Sequence, residues 1–214
     1  LKKLDENGFD IISFEDDENE YPHAQGYDNF ANQLVTFFPD EKANIEEYCK
    51  KIKAICECFP LYNLEWEGKY DNEILGLNAK ETIEGCTQNE KLKAVLSGSN
   101  FLYAGIADKS PFYVHALSVN SYIQSSWRCI NGGSQITKQL LKQLKKHGGE
   151  FYKYKEVIRF NVENKKVTSV DMKDGTQVSG SYFISNIEPK TTLKLAGEEN
   201  FRKSFYSRVQ SLEG

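Results

Sequence analysis

Long apolar runs are missing from this 214-residue chain. None approaches the roughly 18 residues that cross a bilayer, and no secretory leader opens it. Methionine is nearly absent: Met172 stands alone, and the first residue is Leu1. The chain is therefore expected to be an internal piece of a longer protein. Histidine is scarce too, and His23, His115 and His147 lie far apart. The five cysteines, Cys49, Cys56, Cys58, Cys86 and Cys129, are an odd number, which argues against a disulfide framework and for a reducing, cytoplasmic setting. Cys56-x-Cys58 has no second Cys or His pair at zinc-like spacing, so no metal is expected. Ile45, Cys49, Ile52 and Cys56 share one helical face and read as core, with the thiols buried. Also absent are internal repeats, low-complexity tracts, a G-x-G-x-x-G turn and any Ser-His-Asp or Cys-His spacing. No catalytic residue is named on these grounds.

Charge is present but divided. Residues 1–90 hold 8 basic against 21 acidic side chains, and residues 91–214 hold 19 against 10. The later lysines sit at helix ends and hairpins without interleaved aromatics, so nucleic acid is not an expected partner.

Periodicity gives an α+β order. Residues 8–14 and 18–22 read as a hairpin around the acidic run EDDENE, a solvated turn. A helix follows from Tyr27, ending before Pro39. Pro39 and Asp40 open a second helix, through Cys58. Residues 61–77 look irregular. Asn78 with Glu81 resembles a capping box and starts a short helix; another covers about 89–96, and Ser110-Pro111 opens a third. After residue 130 the texture changes. Two glycine pairs bracket the helix in INGGSQITKQLLKQLKKHGGE, with Ile136, Leu140, Leu141 and Leu144 on one side. Strands are expected at 151–154, 156–162, 167–172, 176–178 and 181–185, with Asp174-Gly175 as a reversing turn.

The exit glycines are ordinary helix caps. The entrance pair, Gly132-Gly133, is less so, because glycine is only modestly favoured at helix starts. It implies a sharp turn or a close approach to the backbone, by a ligand or by another strand.

In order and spacing these pieces resemble the phytoene dehydrogenase and carotenoid/retinol desaturase-saturase-like branch of the FAD-dependent amine oxidase superfamily. INGGSQITKQLLKQLKKHGGE matches the family's glycine-opened helix, KEVIRF the strand after it, MKDGTQV its hairpin and FISNIEP its closing strand end. Upstream, KLKAVLSG and SPFYVHALSVNSYIQSSW continue the likeness, which covers residues 78–197 and is fainter over 21–60. The family's G-x-G-x-x-G turn and its glycine-rich closing segment are not in this chain.

The resemblance implies a helical substrate-binding domain with a small mixed or antiparallel sheet over 1–130. Residues 131–197 would be the returning helix and meander of a Rossmann-like FAD domain, and 198–214 the start of a helix re-entering the substrate domain. It implies FAD as cofactor, bound by the longer protein. Gly132, Gly133 and Ser134 would lie near the flavin or substrate, Val157 at the adenine, and Ser185 and Asn186 at a strand end beside the cofactor. Tyr103, Tyr113, His115, Tyr122 and Trp127 would line a site for a long apolar polyene or isoprenoid. For His115 the residue pattern equally allows a satisfied core histidine, and for the aromatics an ordinary core. A lipophilic substrate suggests peripheral membrane contact, although no basic amphipathic face is evident for it. A redox-neutral isomerase on the same scaffold fits as well. From a different class, so does a non-catalytic α+β module binding an apolar ligand or a protein partner.

Overall fold

The computed structural model describes residues 1–67 and 71–212; of the irregular stretch 61–77, residues 68–70 lie outside the described residues. The chain divides into two compact units, Leu1–Thr137 and Lys138–Gly214. The second carries 15 basic against 9 acidic side chains, so the charge division follows the units closely.

In the first unit, β1 (Lys2–Lys3) is followed by the hairpin of β2 (Asp10–Ser13) and β3 (Glu20–His23). The pair is antiparallel, with Asp10 opposite His23 and Ser13 opposite Glu20. The acidic turn is more than solvated loop. The Asp17 carboxylate accepts from the Tyr21 hydroxyl at 2.6 Å and from the Asn19 amide at 3.0 Å. Those bonds, with Lys91 at 3.2 Å, hold it below the usual carboxylate range.

Helix α1 (Tyr27–Phe37) ends where expected, before Pro39. Pro39 first opens a 3-10 turn, Pro39–Glu41, and α2 (Lys42–Glu57) continues from it. One face of α2 is wholly inside: Ile45, Tyr48, Cys49, Ile52, Ile55 and Cys56. Burial pushes the Cys49 and Cys56 thiols up to about 12, so they pack as small hydrophobes and are poor nucleophiles. Next come α3 (Asn72–Leu75), α4 (Ala79–Glu84), α5 (Glu90–Ser97), a 3-10 turn at Asn100–Tyr103, and α6 (Phe112–Gln124). β4 (Trp127–Arg128) returns to pair antiparallel with β1. Helix α6 packs against α2 at the centre of the core, with Phe112, His115, Ala116, Val119 and Ile123 buried.

Asn78 caps α4 through its side-chain oxygen, which accepts from the Glu81 amide at 3.1 Å. Its Nδ2 also donates to the Ala107 carbonyl at 3.1 Å, tying down the loop ahead of α6. Asn78→Ala removes both bonds and should lower unfolding free energy by about 1–2 kcal/mol in a urea titration. A loss below about 0.3 kcal/mol would show that the cap is dispensable.

Helix α7 (Ser134–Lys146) spans the division between the units. It has no buried residue: Ile136, Leu140 and Leu144 are exposed on one side, and Lys138, Lys142, Lys145 and Lys146 occupy the other. A basic amphipathic face therefore does exist in this chain. No helix among the described residues is long and apolar enough to cross a membrane.

In the second unit, β5 (Val157–Glu163), β6 (Lys166–Met172) and β7 (Gln177–Ser179) form one antiparallel meander. Gly175, at φ 84°, makes the expected reversal. The β5–β6 turn uses Asn164 and Lys165, both at positive φ, a primed turn built without glycine. Helix α8 (Pro189–Ala196) is capped by the Glu188 carboxylate, which accepts from the Lys190 and Thr191 amides. It lies against β5 and burial centres on Leu193; α9 (Lys203–Gln210) packs on α8.

Two expected strands do not form. Residues 151–154 are irregular because Tyr154 adopts φ 59°, outside the extended region. Residues 181–185 run without a neighbouring strand among the described residues, and Tyr182 and Ile184 are exposed. The architecture is α+β, and every strand pair among the described residues is antiparallel; the sheet allowed to be mixed is not.

Candidate functional site

The entrance to α7 is a tight turn. The Gly132 amide donates to the Cys129 carbonyl at 3.1 Å, and Asn131 sits at φ 64° in the turn's third position. That is a type II geometry. Gly132 follows at φ 94°, so its backbone needs glycine. Gly133 is different. Its φ is ordinary, and a Cβ there would meet nothing within 4 Å. Tight packing of helix on strand among the described residues therefore does not account for Gly133.

The turn forms one wall of an open groove of 720 Å³, with Lys2, Arg128, Cys129 and Ile130 along the rest. Lys2 and Arg128 are register partners across the β1–β4 ladder, so two cations stand together beside the start of a 13-residue helix. Ser134 is the first helical residue and is exposed. A positive rim beside a helix N-terminus suits an anionic group. Among the described residues, none of those lining the groove is acidic.

The other residues attributed to a cofactor belong to the second unit. Val157 is the half-buried first residue of β5, opposite Met172. Ser185 and Asn186 are exposed in the segment before α8, where the Ser185 hydroxyl meets the Thr192 hydroxyl at 2.8 Å.

The five side chains attributed to substrate divide into separate places. His115 is fully buried, and both ring nitrogens are bonded. The Tyr48 hydroxyl lies 2.7 Å from Nε2 and the Tyr103 hydroxyl 2.9 Å from Nδ1. Burial depresses its pKa to about 4, so it is neutral near neutral pH. Tyr103 also lines a pocket of 340 Å³ between α4, α5 and the Asn100–Tyr103 turn. Tyr113 stacks on Phe59 at 5.1 Å. Tyr122 stacks on Phe9 at 5.5 Å and meets His23 edge-on. Trp127 is largely exposed on β4. Only Tyr103 and His115 are brought into contact among these five.

Sequence reasoning missed Tyr48, Lys2 and Arg128. Tyr48 falls on the apolar face of α2, which was a legible signal for burial, but its partner lies 67 residues away. Lys2 and Arg128 meet only through a two-residue ladder, too short to show as a pattern.

No family profile matches the chain. The all-trans-retinol 13,14-reductase of Danio rerio is 25% identical over 163 aligned residues, covering 67% of this chain and 27% of that protein. The human protein of the same name is 25% identical over 208 residues, covering 88% of this chain and 33% of its own length. This chain thus spans a third or less of the curated relatives it matches. The crystal structure of the PF1083 protein from Pyrococcus furiosus superposes with a TM-score of 0.53 at 19% identity, over 64% of this chain and 36% of that one. At such identity the likeness is one of fold. Over most of its length, the chain is similar at low identity to proteins named all-trans-retinol 13,14-reductase.

Proposed function

We propose that this chain is part of an FAD-dependent oxidoreductase acting on a long apolar isoprenoid, of which retinoids are one class. In this reading residues 1–130 belong to a substrate domain, and 131–197 are the returning segment of a flavin domain. Residues 198–214 begin a helix leading back to the substrate domain. The observation that carries it is Gly133, which has room for a side chain and an ordinary backbone, at the mouth of a cationic groove. A residue that the chain itself does not require to be glycine is accounted for by a group that approaches from outside.

The donors present fit an anionic dinucleotide. Lys2 and Arg128 supply charge, the turn at Gly132-Gly133 exposes backbone, and Ser134 opens the helix. FAD, when bound, supplies hydride acceptance or donation. The chain's own residues position and screen: the Gly132 turn fixes the direction of α7, and the apolar side of α7 is free to pack. The similarity to retinol reductases supports a lipophilic substrate.

The test is the visible absorption spectrum of the full natural gene product after incubation with FAD, beside residues 1–214 alone. Flavin bands are expected in the former and not in the latter. In the longer protein, Gly133→Val should abolish flavin retention. A longer protein that stays colourless would overturn the oxidoreductase reading and leave a non-catalytic binding module.

A further inference from the structure

The 340 Å³ pocket of the first unit is separate from the glycine turn in its lining residues, and its Tyr103 is wired into the core. Tyr48 is fully buried, and His115 Nε2 is its hydroxyl's only hydrogen-bond partner among the described residues. A buried O–H with no acceptor is costly, so the Tyr48 proton points at Nε2. Neutral imidazole has one donor and one acceptor nitrogen. Nε2 is then the acceptor, and the ring proton sits on Nδ1. Nδ1–H donates across 2.9 Å to the Tyr103 oxygen. The Tyr103 hydroxyl, its acceptor role filled from inside, keeps its own proton for whatever occupies the pocket.

The position of Tyr103 is also enforced. A Cβ on Gly105 would lie 2.9 Å from its Cε2 and 3.0 Å from Asn100 Cβ, and its ring meets His115 edge-on at 5.8 Å. The phenol is wedged between the Gly105 backbone and the imidazole. The rest of the wall combines two lysines and two glutamates that pair with one another, the polar Ser97, Asn100 and Ser110, and apolar surface. Lys80 pairs with Glu84 at 3.9 Å and Lys93 with Glu90 at 2.7 Å, while Ala79, Ile83, Ala94 and Ile106 give apolar surface.

We infer that this pocket binds the oxygen-bearing end of a neutral, otherwise apolar molecule, an isoprenoid alcohol or carbonyl, with the Tyr103 hydroxyl donating a hydrogen bond to that oxygen. The choice of isoprenoid rests on the function proposed above. The donor assignment does not.

Two measurements on the 214-residue chain separate them. The first is the ¹⁵N NMR shift pair of His115, which is expected to show the proton on Nδ1. A proton on Nε2 would overturn the donor assignment whatever the ligand. The second is fluorescence titration with all-trans-retinol, and with anhydroretinol as the hydrocarbon that lacks the hydroxyl. Tyr103→Phe is expected to weaken retinol binding about five- to tenfold and leave anhydroretinol unchanged, as for one lost hydrogen bond. Gly105→Ala, which displaces the ring, should weaken retinol similarly. Retinol binding that ignores both substitutions places the ligand elsewhere and overturns the pocket, while the isoprenoid reading survives. Absence of retinol binding, with the Nδ1 proton in place, overturns the ligand class and keeps the donor.

Discussion

Moving from about pH 7.5 to about pH 4.5 is expected to cost the first unit about 5 kcal/mol of unfolding free energy. Two histidines are responsible. His115 is buried between Tyr48, Tyr103 and Phe112, and His23 is buried among Phe9, Phe30 and Tyr122. Desolvation depresses both to about 4 from an ordinary 6.5. For His23 the facing Asp10 carboxylate pulls the other way without cancelling the burial, and its Nδ1 has no hydrogen-bond partner among the described residues.

The sign follows from which state binds more protons. The unfolded chain takes up a proton at each histidine as the pH falls through about 6.5, while the folded chain waits until about 4. Stability is therefore fully present above 6.5 and lost on the way down to 4. Each histidine contributes about 2.5 kcal/mol over the interval measured. Asp17 and Glu41 also carry depressed carboxyls in this unit, but their stabilisation is lost lower, below the ordinary carboxylate range. Urea titrations at the two pH values decide the matter. Equal stability at both, to within about 1 kcal/mol, would mean the two rings are hydrated in solution. His23→Phe should remove roughly half of the dependence.

The second large effect is Phe112→Ala, expected to lower unfolding free energy by about 3–5 kcal/mol. Phe112 is 1% exposed and stacks on His115 at 5.7 Å, and its amide fixes the start of α6 by donating to the Leu77 carbonyl at 2.7 Å. Truncation leaves a cavity against a ring that is neutral because it is dry. Water entering that space would raise the His115 pKa toward 6.5 and flatten the pH dependence. The two effects are thus coupled: the Phe112→Ala protein should be less stable at pH 7.5 and lose less on acidification. A loss under about 1 kcal/mol in urea would show that the core closes over the gap.

What the sequence made legible follows from the range of the physics. Local signals were sound: the Asn78 cap, the Pro39 boundary, the Asp174-Gly175 reversal and the thiols on the α2 face all act within a few residues. Pairings at long range were not, since nothing in residues 48, 103 and 115 announces a Tyr–His–Tyr chain. The Asn164-Lys165 turn was missed because neither residue is glycine. The strand expected over 181–185 fits its composition, but a strand is made by its neighbours. The glycine pair before α7 raised the right question, and the two glycines answer differently: Gly132 is held by its φ, and Gly133 by nothing among the described residues.

The extended segment that leads to α8 has a consequence for the behaviour of this polypeptide in solution. No backbone hydrogen bond holds residues 181–187 to the described chain, and Tyr182, Ile184 and Ile187 face the solvent. Open amides alongside β-branched and aromatic side chains make a template for intermolecular pairing. The segment favours concentration-dependent self-association. The lysines of the second unit oppose this by mutual repulsion, so added salt, which screens them, should promote clustering.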